Sequence, residues 1–172
     1  MESHVRPVGR TLRERGVTIG LCSDSSVPTM RTWAEYFDFR GPLIAERGAI
    51  LLEDPNAEPQ YLGEWPQYFL GLKERFVEVL AESDCFQTFR GDPAVIFRTL
   101  RTSSSLHGAV AIINDIRIAS LATYARRMGS DGVEINLALL EVLDRTLRGC
   151  VDAHPPNFPY YWDNNPEYGI II

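Results

Sequence analysis

Five consecutive residues, Cys22-Ser23-Asp24-Ser25-Ser26, place hydroxyls, a carboxylate and a thiol between an apolar run and an amphipathic one. Where a strand ends and a helix begins, hydroxyls and free backbone N–H groups suit a phosphate, because a helix N-terminus carries partial positive charge. The same Ser and Asp side chains also serve as helix caps, with Ser26 in the N-cap position. A second grouping, Asp152-Ala153-His154 with Asp163, has donor types that a metal accepts. It lies in a Pro-rich segment with no second His nearby, which favours exposed loop residues over a metal site. His4 and His107 have no partner that spacing identifies. No G-x-S-x-G elbow occurs, which argues against a Ser/His/Asp triad. The stretch from Phe158 to Tyr168 is rich in aromatic, Asn and Asp residues; it fits either a surface that selects a polar small molecule or packing of a sheet. Arg117, Arg126 and Arg127 can meet an anion or form a solvated face.

The elements that must position these residues follow from periodicity. Val8–Arg15 reads as the end of a helix closed by Gly16. Val17–Cys22 is a short β-branched apolar run, read as a buried parallel strand. Val27–Phe39 carries Val27, Met30, Trp33, Ala34 and Phe37 on one helical stripe, stopped by Gly41-Pro42. Leu43–Ala45 and Ala49–Leu52 read as strands around an Arg47-Gly48 turn, with Gly16, Gly41 and Gly48 as backbone punctuation. Strand, helix and strand with short links make a right-handed βαβ unit. Residues 56–67 read as a junction. Beyond it come a helix over Trp65–Glu82, a strand over Pro93–Leu100, a loop at Thr102–Ser105, and strands over Ala109–Ile113 and Arg117–Arg126 turning at Asn114-Asp115. A helix over Val133–Arg148, capped by Ser130 or Asp131, and a last strand at Gly169–Ile172 complete an antiparallel sheet with helices on one face.

Composition sets the outer limits. With 172 residues, 45% hydrophobic and 23% charged, the chain is ordinary globular material that needs no disulfide or metal staple. A net charge of −6 offers no electrostatic footprint for nucleic acid. No apolar run approaches bilayer-spanning length, and the arginine-bearing N-terminal segment does not resemble a secretory leader. Cys22, Cys85 and Cys150 are widely spaced and read as reduced thiols of a cytoplasmic protein.

The stretch from Arg15 to Ser23, followed by Phe39-Arg40-Gly41-Pro42-Leu43-Ile44-Ala45-Glu46-Arg47-Gly48-Ala49-Ile50-Leu51, resembles the haloacid-dehalogenase-like (HAD) phosphatases. It is most similar to the subclass with a large α/β cap, which includes phosphoglycolate and sugar phosphatases. The resemblance implies an α/β fold: a partial Rossmann-like core in residues 1–56, then an α+β cap in 57–172. It makes Ser23 the phosphate-binding hydroxyl, with Asp24, Ser25, Arg47 and Gly48 around it, Arg47 standing where Asn is common. It implies Mg²⁺ as cofactor and a small phosphorylated metabolite or sugar phosphate as substrate.

The departures are equally specific. The family's nucleophile lies in an Asp-x-Asp pair, which this sequence does not contain. Its catalytic Lys and metal carboxylates lie beyond the cap, and the one Lys here is Lys73, inside an amphipathic helix. No catalytic residue and no metal ligand is therefore assigned to this chain. It is expected to be inactive alone, and to be completed by a longer or complementary chain, or to be a homodimer joined through sheet edges. The other reading is a non-catalytic ligand-binding or dimerising module, with neither nucleic acid nor membrane as partner.

Overall fold

Gly16, at φ +79°, ends the first helix, α1 (Glu2–Glu14), as its N–H reaches back 2.8 Å to the Arg13 carbonyl. The computed structural model describes residues 2–102, 108–129 and 132–172. They divide into two units, residues 1–66 and 67–172.

In the first unit α1 is followed by β1 (Leu21–Cys22), α2 (Val27–Phe37), β2 (Leu43–Ala45), β3 (Ile50–Leu52) and β4 (Gln60–Tyr61). The sheet order is β1-β2-β3-β4. β1 and β2 are parallel, so β1-α2-β2 is the expected βαβ unit; β3 and β4 then add antiparallel. The first strand differs from expectation in length and burial. It covers two residues at the sheet edge; Val17 and Cys22 are exposed and Leu21 only half-buried. Gly41 is more than punctuation: a Cβ there would sit 2.7 Å from the Ile19 carbonyl carbon, so its absence lets the two chains close. Of the apolar stripe on α2, Val27, Met30 and Ala34 are buried, whereas Trp33 is largely exposed. The helix ends before Gly41-Pro42, at Asp38, whose left-handed conformation (φ 58°) turns its N–H and that of Phe39 back onto Glu35 and Ala34. Residues 56–67, read as a junction, contain β4.

The second unit contains α3 (Trp65–Ala81), β5 (Gln87–Gly91), α4 (Pro93–Thr102), β6 (Gly108–Asn114), β7 (Ala122–Gly129), β8 (Gly132–Ile135), α5 (Leu137–Ala153), β9 (Asp163–Asn165) and β10 (Gly169–Ile171). Its sheet runs β5-β6-β7-β10-β9, with β8 also on β7. Three expectations are corrected. Pro93–Leu100 is helix, not strand: Asp92 caps it, its carboxylate accepting the Ala94 N–H at 2.8 Å, and Pro93 is preset for the first turn. The apparent alternation there hid a helical face, Ile96, Phe97 and Leu100, packed on Val110 and Ile112. The α5 helix starts at Leu137, not Val133, with Asn136 as the cap accepting the Leu139 N–H at 3.0 Å; Val133 and Ile135 belong to β8. The proposed caps Ser130 and Asp131, the loop residues 103–105 and His107 lie outside the described residues.

The third correction concerns the sheet. β5, not anticipated from the sequence, pairs parallel with β6 across α4, a second βαβ unit, so the sheet is mixed rather than antiparallel. Helices cover both faces. Phe89, Val110, Ile112 and Tyr124 face α4, whereas Arg90, one residue along and so on the other face, pairs with Glu74 of α3. Ala111, Ile113, Thr123 and Ala125, with Ile170 opposite Thr123, are fully buried on that second face. The Tyr68 hydroxyl of α3 donates to the His154 carbonyl at the end of α5 (3.1 Å), which ties the two helices together. Asn114-Asp115 does not close a tight hairpin; residues 115–121 form a longer connection with Arg117, Ala119 and Ser120 buried.

Candidate functional site

β1 delivers Ser23 to the edge of the first unit. The Leu21 N–H bonds the Pro42 carbonyl (2.9 Å) and the Ser23 N–H bonds the Ile44 carbonyl (3.0 Å), so the ladder extends to the first loop residue. Ser23 is half-buried and its surroundings are polar. Its Oγ accepts the Ser25 N–H at 3.2 Å and lies 3.2 Å from Ser25 Oγ and 3.4 Å from an Asp24 carboxylate oxygen. Asp24 is exposed and Ser25 half-buried.

Capping does not account for the loop. Ser26 holds the N-cap backbone conformation of α2, yet its side chain makes no capping bond; its buried hydroxyl pairs instead with Thr29 Oγ1 at 3.0 Å. Pro28 brings no N–H, and no side chain caps the first turn. Val27 and Thr29 thus present first-turn N–H groups that have no partner within the helix. Together with the dipole these make the start of α2, at the end of the Ser23 loop, weakly cationic.

The turn after β2 is joined to this loop by the backbone: the Glu46 N–H donates to the Ser25 carbonyl at 3.1 Å. Residues Glu46–Gly48 form a single 3₁₀ turn in which three successive φ angles are positive: Glu46 48°, Arg47 60° and Gly48 93°. Only Gly adopts this region freely, so two side-chain-bearing residues are held in a conformation that costs about 1–2 kcal/mol each. Strain of this kind persists only where the surrounding structure enforces it. Glu46 is buried, Arg47 and Gly48 are half-buried. The five residues Ser23, Asp24, Ser25, Arg47 and Gly48 therefore lie on two linked segments. Ser26 and Glu46, not singled out from the sequence as site residues, complete the frame. The signal for Glu46 was its place beside Gly48 between two apolar strands.

Other candidates separate. Lys73 is buried and donates to the Arg117 carbonyl, a structural role in the second unit. Arg117 is buried with its guanidinium on Ser120 Oγ (2.9 Å), so it is no part of a solvated face. Arg127 is exposed and paired with Glu134 at 2.7 Å. In the aromatic stretch, Trp162 donates to Asp144 (2.9 Å) under the Arg148 guanidinium, and Phe158 stacks edge-on with Tyr68, so both pin the segment to the helices; Tyr160, Tyr161 and Tyr168 are exposed. Among the described residues no three His, Cys, Asp or Glu side chains come together to hold a metal, Asp152, His154 and Asp163 included. The loop thus does not fit Mg²⁺ by itself. Cys22 and Cys85 are exposed thiols, and Cys150 is buried, which pushes its thiol up. No helix among the described residues is long and apolar enough to cross a membrane.

The fold is mixed α/β, with the Ser23 loop joining a parallel strand to a helix. Comparison with protein-family models, with curated proteins and with solved structures gives no match.

Proposed function

We propose that residues 1–66 are the phosphate-holding part of a HAD-like phosphohydrolase core and that the second unit is its cap, acting on a small phosphorylated metabolite or sugar phosphate. The observation that carries this reading is a half-buried Ser23 at the carboxyl end of a parallel strand, in the loop that leads into the N-terminus of α2, which no side chain caps. Ser23 would donate to one phosphoryl oxygen and the Val27 and Thr29 amides would face the others. This positions a phosphoryl group and no more: transfer through an aspartyl intermediate also needs a carboxylate nucleophile, a general acid and a metal. The sequence has no Asp-x-Asp pair, so that chemistry is assigned to residues outside these 172.

Two measurements test this. Inorganic phosphate should raise the melting temperature of the chain more than that of Ser23→Ala, after matching ionic strength; equal shifts would refute the role of Ser23. With Mg²⁺ and p-nitrophenyl phosphate, the 172-residue chain should show no turnover. Ser23-dependent turnover would mean that the nucleophile lies within it.

A second reading is supported by β1 standing at the edge of its sheet. An open edge is a template for another strand, and a non-catalytic module that dimerises there would use the same loop for binding alone.

A further inference from the structure

Arg126, on β7 of the second unit, is half-buried, and no described carboxylate pairs with it. Its guanidinium carbon lies 5.4 Å from the centre of the Phe97 ring and 5.8 Å from that of Tyr124. One terminal nitrogen donates to the Ala125 carbonyl (2.9 Å) and the other to the Tyr168 carbonyl (3.1 Å). A guanidinium has five N–H donors, so three remain after these two bonds. The Nε makes neither bond and is not a buried nitrogen without a partner, so its N–H is open to the outside. Its neighbour Arg127, by contrast, is exposed and does have a carboxylate.

Burial of a charge is unfavourable unless an opposite charge or strong hydrogen bonds offset it. Here burial weakens the hold on the proton, the direction expected when no acid compensates. Ring faces and carbonyls recover part of the cost, but neither matches a planar oxyanion, which takes two parallel N–H bonds from one guanidinium. The walls are also set for a ligand. Phe97 and Tyr124 meet edge to face at 5.9 Å and fix the guanidinium between α4 and the sheet. Asn114, buried on the neighbouring strand β6, donates to the Tyr124 hydroxyl at 3.5 Å.

We propose that Arg126 is the anchor of an oxyanion site in the second unit, taking the carboxylate or phosphate of a small molecule beside the Phe97–Tyr124 pair. This site is separate from the Ser23 loop and does not depend on its reading.

The test follows the Nε–H proton signals of arginine in the full ¹⁵N-labelled chain, titrated at constant ionic strength with inorganic phosphate and, separately, with acetate. Arg126→Lys identifies the Arg126 signal by its loss. Expected is a saturable shift at Arg126, with only the weak linear drift of a surface group at exposed Arg98. Saturation by acetate marks a carboxylate site; saturation by phosphate alone marks a phosphoryl site. Arg126→Lys should weaken the anion-induced shift of the neighbouring Tyr124 amide about tenfold or more, as expected for a lost charged hydrogen bond. Ser23→Ala should leave the Arg126 response unchanged. If Arg126 drifts like Arg98 with both anions, or if its saturation disappears in Ser23→Ala, the proposal is wrong.

Discussion

At the residue scale the contrast between Ser23 and Ser26 is the instructive one. Both are serines in the same loop, but Ser26 is buried and committed to Thr29, while Ser23 keeps a hydroxyl near solvent. The Asp24 carboxylate lies 3.4 Å from Ser23 Oγ. A second residue gives a pH prediction. The Arg13 side chain, hydrogen-bonded to Asp38 and helped by Arg40, holds the Asp38 carboxyl below the usual carboxylate range. A lowered folded-state pKa contributes stability that is present above the ordinary carboxylate value and lost as pH falls through the lowered one. Asp38→Asn, which tolerates the same left-handed backbone, should be less stable than the parent at pH 7. The two should converge in strong acid, measured by urea melts at both pH values.

At the scale of elements, the turn Glu46–Gly48 decides whether the loop after β1 has a fixed neighbour. A Cβ on Gly48 would meet nothing within 4 Å, so Gly48→Ala isolates the cost of φ +93° from any clash. It should destabilise the chain by about 1–2 kcal/mol and weaken phosphate binding by loosening the Ser25–Glu46 link. A neutral effect on chemical denaturation would show that the turn is not enforced. Much of this unit was legible in the sequence: α2, β2, β3 and the Arg47-Gly48 turn follow from apolar spacing and Gly placement. The misread elements have a common cause. Pro93–Leu100 and Val133–Ile135 are short apolar segments in which period-2 and helical patterns overlap. Long-range pairing then chose: α4 packs on β6, and β8 is held by the facing edge of β7.

At the scale of the whole molecule, among the described residues two sheets each have open edges: β1 and β4 in one, β5, β8 and β9 in the other. β1 ends in the exposed Cys22 and carries no Pro or charged side chain of its own. An unprotected edge of this kind favours pairing with another strand. Sedimentation at micromolar concentration should show self-association that Cys22→Lys reduces. A strict monomer would remove the dimerising reading and leave the phosphate-holding one untouched.

Read alone, the residues establish an α/β chain that opens with a strand–loop–helix–strand order, because apolar period and the positions of Gly and Pro are local properties of the chain. What they left undecided is which polar groups are already engaged. Whether Ser26 caps α2, whether Arg117 is solvated, and whether Arg126 meets a carboxylate depend on partners far apart in sequence. Only the packed structure brings those partners together or leaves them out of reach.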